Sequence, residues 1–96
     1  MVVNLNGTLK EKRKPKTIND NLEIVEFVLN IDEDTDYPQP LLINAINDKI
    51  EILKKYEIGE KLMVRCHLRG REKEGKYYNS ITMFDMINKN REQGNY

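Results

Sequence analysis

Ninety-six residues leave room for one domain and no second. Sixteen Lys and Arg against sixteen Asp and Glu leave no net charge, so bulk basicity is excluded as an argument for a nucleic-acid partner and the distribution of charge must carry any such case. One cysteine, Cys66, and one histidine, His67, supply neither an internal disulfide nor the ligands of a usual zinc site, and no run approaches the roughly 18 apolar residues of a membrane helix.

Met1-Val2-Val3-Asn4 lacks the basic and apolar regions of a signal peptide, so the cytoplasm is the expected location and no membrane partner is expected. Val3, Leu5, Gly7 and Leu9 then alternate with Asn4, Asn6, Thr8 and Lys10, the period of a half-buried strand. Gly7 within that pattern predicts a bulge or a tight bend.

Residues 11–21 hold four basic side chains, a proline and a closing turn-type cluster, and read as a mobile basic hairpin loop. A second strand runs from Leu22 to Ile31, with Val25, Phe27, Leu29 and Ile31 on one face and Ile24, Glu26, Val28 and Asn30 on the other. Residues 32–36 form an acidic turn without the spaced ligands of a calcium loop. A third strand follows over Leu41 to Ile46, with Pro38 and Pro40 confining any earlier pairing to an edge or a strand start.

Asn47 or Asp48 is placed to cap a helix whose Ile50, Leu53 and Tyr56 or Ile58 share a side, and Gly59 ends it. From Lys61 to Arg71 the alternation is regular: Leu62, Val64, Cys66 and Leu68 inward, Met63, Arg65, His67, Arg69 and Arg71 outward. Cys66 and His67, as strand neighbours, point to opposite faces and do not make a nucleophile and its base. Glu72 to Gly75 is a turn, Tyr77 to Ile87 a fifth strand, and residues 88–96 a disordered polar tail.

Five strands with one short helix between the third and fourth is the order of an all-β OB-fold barrel, here over residues 1–87, whose exposed groove lies over strands two and three between loops one-two and four-five. Single-stranded nucleic acid needs a cationic track and flat rings. Lys12, Arg13, Lys14 and Lys16, with Lys10, supply cations at the first loop, and Arg65, Arg69, Arg71, Lys73 and Lys76 at the second, with the opposing acids expected in the turn 32–36 and along the helix. Tyr77, Tyr78 and Phe84 are the main stacking candidates, with Tyr37 another; Tyr77 and Tyr78 point to opposite faces, so only one of them is a platform. Outward Ile24, Val28 and Met63 suit either base contacts or a subunit interface, and the interface is the favoured assignment, for Ile24 and Val28 because base stacking prefers rings. No catalytic constellation is legible, and no enzyme activity, metal or cofactor is expected.

At Glu26-Phe27-Val28-Leu29, Tyr37-Pro38, Asn47-Asp48-Lys49-Ile50, Ile58-Gly59-Glu60 and Arg69-Gly70-Arg71-Glu72 followed by Gly75 to Ile81, the chain resembles a small family of OB-fold proteins of bacteria and their phages. That family is labelled a domain of unknown function and is similar to bacterial single-stranded DNA-binding proteins. The resemblance spans roughly residues 2 to 87. It implies a homo-oligomeric, sequence-tolerant binder of single-stranded DNA in replication, recombination or repair, in a bacterial cytoplasm or that of a phage host, with replication or recombination proteins as candidate partners. RNA stays open as a ligand, and a protein-assembly module without strong nucleic-acid affinity is the alternative function. Leu22, Ile46 and Tyr77 stand where the family tends to place tryptophans, and Lys89 to Tyr96 is unlike the acidic, apolar-tipped tail of bacterial single-stranded DNA-binding proteins.

Overall fold

The computed structural model describes residues 1–31 and 34–88. In chain order it contains β1 (Val2–Lys12), β2 (Lys16–Asn19), β3 (Leu22–Ile31), β4 (Gln39–Ile46), a 3-10 turn (Asn47–Lys49), α1 (Ile50–Lys54), β5 (Lys61–Lys73) and β6 (Lys76–Ile87). The sheet runs β1-β5-β6-β4-β3-β2, and an extra β1–β3 pairing closes five strands into a barrel. The weakest seam is the parallel contact of β4 with β6, a single registered pair at Asn44 and Thr82.

β1 makes closure possible by serving two partners, pairing β5 through Val2 to Thr8 and β3 through Gly7 to Lys12. Gly7 is where they overlap, and a Cβ there would sit 2.4 Å from the Asn30 carbonyl oxygen. Gly7 thus permits a close backbone approach where β1 changes partners, and the bulge falls further along, between Leu9 and Glu11.

Residues 11–21 are not one loop. The chain leaves the β3 edge after Lys12, opposite Phe27, and rejoins it at Lys16, opposite Ile24. Across the gap the Arg13 amide donates to the Glu26 carbonyl at 2.9 Å. β2 thus continues β1 as a ribbon with the start of β3, and this sixth strand puts the helix between β4 and β5 rather than between strands three and four.

The barrel is filled by Leu9, Val25, Phe27, Leu29, Ile43, Ala45, Leu62, Val64, Cys66, Met83 and Met86, the inward positions of the alternating strands. Ile50, Leu53 and Tyr56 plug one end, and the Tyr56 hydroxyl donates to the Met86 carbonyl at 3.0 Å. Tyr56, not Ile58, completes the helix side, since Ile58 is 61% exposed. Neither Asn47 nor Asp48 caps through its side chain. Asn47 adopts φ 51° and turns back to β3, its Oδ1 accepting from the Glu23 amide and its Nδ2 donating to the Asn21 carbonyl. Gly59 ends the segment with φ 100°, as its position predicts.

Leu68 is not inward but 40% exposed, because β5 has by then passed the barrel wall. Its amide makes the last contact with β1, donating to the Met1 carbonyl at 2.9 Å. Beyond it β5 and β6 continue as a two-stranded ribbon to the pair Lys73 and Lys76, closed by Glu74 and Gly75, both with positive φ. The two ribbons help draw the molecule out to 50 × 36 × 23 Å. Asn88, assigned to the tail, belongs to the fold: it is buried and donates to Glu60 Oε1 at 2.9 Å. The rest of that tail, and two residues of the acidic turn 32–36, lie outside the described residues. No helix among the described residues is long and apolar enough to cross a membrane.

Candidate nucleic-acid interface

Cross-strand partners share a face of a sheet, so the ladders decide which side chains stand together. Glu26 faces Asn44, Asn44 faces Thr82, Thr82 faces His67, and His67 faces Val2. This row crosses the outside of the barrel over four neighbouring strands and β1. The β2–β3 ribbon leaves past the high-numbered end of β4, and the β5–β6 ribbon past its low-numbered end, so the two flank the row.

The β5–β6 ribbon has two unlike faces. Arg69 with Ser80, Arg71 with Tyr78, and Lys73 with Lys76 continue the outer face of His67 and Thr82. Leu68 with Ile81, Gly70 with Asn79, and Glu72 with Tyr77 occupy the other. Tyr78, not Tyr77, therefore stands with the arginines, and its ring lies 5.6 Å from the Arg71 guanidinium. Tyr77 is exposed among apolar and acidic neighbours on the reverse side.

At the barrel end of the cationic face, the ladder shifts between Arg65, opposite Asp85, and Cys66, opposite Met83. The surplus residue is Phe84, pushed outward by this bulge. Its ring meets His67 at 4.6 Å between centroids, tilted by 34°, and the Arg65 guanidinium at 5.3 Å. Phe84 is thus part of a composite surface of ring, imidazole and guanidinium rather than a bare platform. His67 was not among the expected site residues, although the alternation of outward positions from Met63 to Arg71 already placed it there.

Cations of the first set are mostly engaged. Lys12 Nζ donates to the Tyr56 carbonyl, Arg13 Nε lies 3.8 Å from Glu11 Oε1, and Lys16 Nζ lies 2.9 Å from Glu26 Oε1. Their opposing charge is on β1 and β3, not only in the acidic turn and the helix. By contrast, none of Arg65, Arg69, Arg71, Lys73 and Lys76 makes an ion pair with a described carboxylate. Lys14, in the same first loop, is exposed and makes no such pair either.

The three expected interface residues lie on two strands. Ile24 and Val28 lie on the outer face of β3, but Val28 is 9% exposed within the single chain; Met63 is on β5, opposite Asn6 and Ile87. Tyr37 is exposed at the turn before β4. Cys66 is fully buried, and burial pushes its thiol up to about 11, as expected for an inert core residue.

A closed five-strand barrel, a short helix plugging one end and two ribbons flanking an outer face define an OB fold. The chain belongs to the family described as a domain of unknown function, DUF3127, whose model matches residues 4–87. No curated protein matches it in sequence. Among solved structures it is similar to the SSB domain of a Synechococcus protein, with a TM-score of 0.67 at 15% identity over 88% of this chain and 91% of that one. The N-terminal domain of PriB from Thermoanaerobacter tencongensis, described as dimeric, superposes with a TM-score of 0.66 at 15% identity over 90% and 92%. A deletion mutant of the single-stranded DNA-binding protein from Thermus aquaticus gives 0.67 at 16% identity over 91% of this chain and 40% of that one.

Proposed function

We propose that this barrel is a non-enzymatic, sequence-tolerant binder of single-stranded DNA, serving replication, recombination or repair. The observation that carries the reading is the outer face of β5 and β6. There Arg65, Arg69 and Arg71 stand with Tyr78, Phe84 and His67, with no described carboxylate paired to the arginines. Residues two apart on a strand are separated by about 6.7 Å, so the arginines form a spaced track for successive phosphates. The rings beside them offer bases a stacking surface. Structural likeness to a single-stranded DNA-binding protein and to PriB supports the reading, and the dimeric PriB domain supports a homo-oligomer.

The test is fluorescence anisotropy with a labelled mixed-sequence DNA strand of about 30 nucleotides, enough for several OB sites. The expected result is binding whose logarithm falls linearly with that of salt, by about 0.7 per phosphate contacted. Absence of binding at low salt refutes the proposal.

A further inference from the structure

The cationic face divides into two parts that suit different ligands. On the barrel, Arg65, His67 and Phe84 make a surface of flat groups. On the projecting ribbon, from Arg69 to Ser80, the same face holds Arg69, Arg71, Lys73 and Lys76 but one ring, Tyr78, already approached by Arg71. The ribbon thus offers charge with little stacking surface, which matches a nucleic acid whose bases are already paired.

Its shape agrees. No third described strand pairs with residues 69–73 or 76–80, so the ribbon stands free of the barrel for five residue pairs, or about 17 Å. A two-residue turn with both φ angles positive closes it, the geometry that matches strand twist and keeps a hairpin stiff. Two backbones about 4.8 Å apart make a ribbon of the kind the B-DNA major groove, about 12 Å wide, admits. The major groove of duplex RNA is too deep and narrow for the same insertion.

We infer that the outer end of the β5–β6 ribbon, beyond the pair Arg71 and Tyr78, is a duplex-DNA contact adjoining the single-strand site, so that the favoured ligand is a junction of duplex with single strand. This inference rests on the single-strand reading of the barrel. Lys73 and Lys76, opposite one another at the ribbon's end, reach phosphates of the paired segment. The barrel and the base of the ribbon, with Arg69, Arg71 and Tyr78, meanwhile hold the unpaired tail.

Anisotropy titrations of the full chain test this with four labelled probes: a strand of about 15 nucleotides, the matching blunt DNA duplex, that duplex carrying the strand as a tail, and the same tail on an RNA duplex. The tailed DNA duplex should bind about tenfold more tightly than the strand, and the tailed RNA duplex no more tightly than the strand. In K73Q/K76Q, and in a chain with residues 72–77 replaced by Asn-Gly so that Arg71 and Tyr78 still pair, the ratio of tailed duplex to strand should fall to about one. Equal affinity for strand and tailed DNA duplex, or an advantage that survives the shortened ribbon, overturns the inference while leaving single-strand binding intact. Failure of the strand itself to bind overturns the function reading as well.

Discussion

Two ribbons leave this barrel, both antiparallel and both rich in Lys and Arg, yet only one presents most of its charge to a ligand. On the β2–β3 ribbon the ladder puts Lys16 opposite Ile24, two residues from Glu26, and the pair closes at 2.9 Å. On the β5–β6 ribbon the residues opposite Arg69 and Arg71 are Ser80 and Tyr78. Charge counted along a chain therefore says little about charge available at a surface. The cross-strand neighbour decides whether a cation is spent inside the protein.

Four variants, with Lys16→Gln as a control, probe this contrast. The largest effect belongs to the foot of the first ribbon: Phe27, fully buried opposite Lys12, should cost about 3–5 kcal/mol on truncation to Ala, read as a lower urea midpoint. Next, R69E/R71E should weaken binding to single-stranded DNA about a hundredfold, at about 1.5 kcal/mol for each charge-assisted contact. K14E/K16E should weaken it about threefold or less, and comparable losses in the two double variants would mean that the two ribbons contribute alike. Glu26→Gln sharpens it from the other side. If the carboxylate is what occupies Lys16, the variant should bind DNA about twofold more tightly, a gain that Lys16→Gln abolishes, with stability changed by no more than about 1 kcal/mol.

An effect confined to high pH concerns the wall common to both regions. The Cys66 thiol is raised from 9.0 to about 11 by burial, so the folded chain holds that proton more firmly than the unfolded chain. Its contribution to stability is complete below pH 9 and is lost as the pH rises toward 11. Cys66→Val should flatten the denaturation midpoint over that window.

The legible parts of the fold were those with a period. Val25, Phe27 and Leu29, and Leu62, Val64 and Cys66, alternate because each strand has one wet face, and all six are buried. β2 was illegible for the converse reason: Lys16, Thr17, Ile18 and Asn19 are all exposed, and backbone pairing with β3 holds them without any apolar face. Leu68 misled because its alternation continues past the end of the barrel, where inward no longer means buried. At the candidate site the cations and rings could be named from composition and spacing. The choice of Tyr78 over Tyr77, the Phe84 bulge and the Lys16–Glu26 pair depend on register, which links positions far apart in the chain.

The double duty of β1 has a consequence for the order of events during synthesis. Its C-terminal half meets β3 within a local hairpin, which a growing chain can form early. Its N-terminal half, from Val2 onward, must wait for the stretch that ends at His67, and β6 must follow before β5 is covered on its other edge. Until translation has delivered both, the hairpin exposes an apolar strand with an unpaired edge, so the N-terminal half of β1 finds its place only after later strands emerge, and the nascent chain is most vulnerable to aggregation before β6 is delivered.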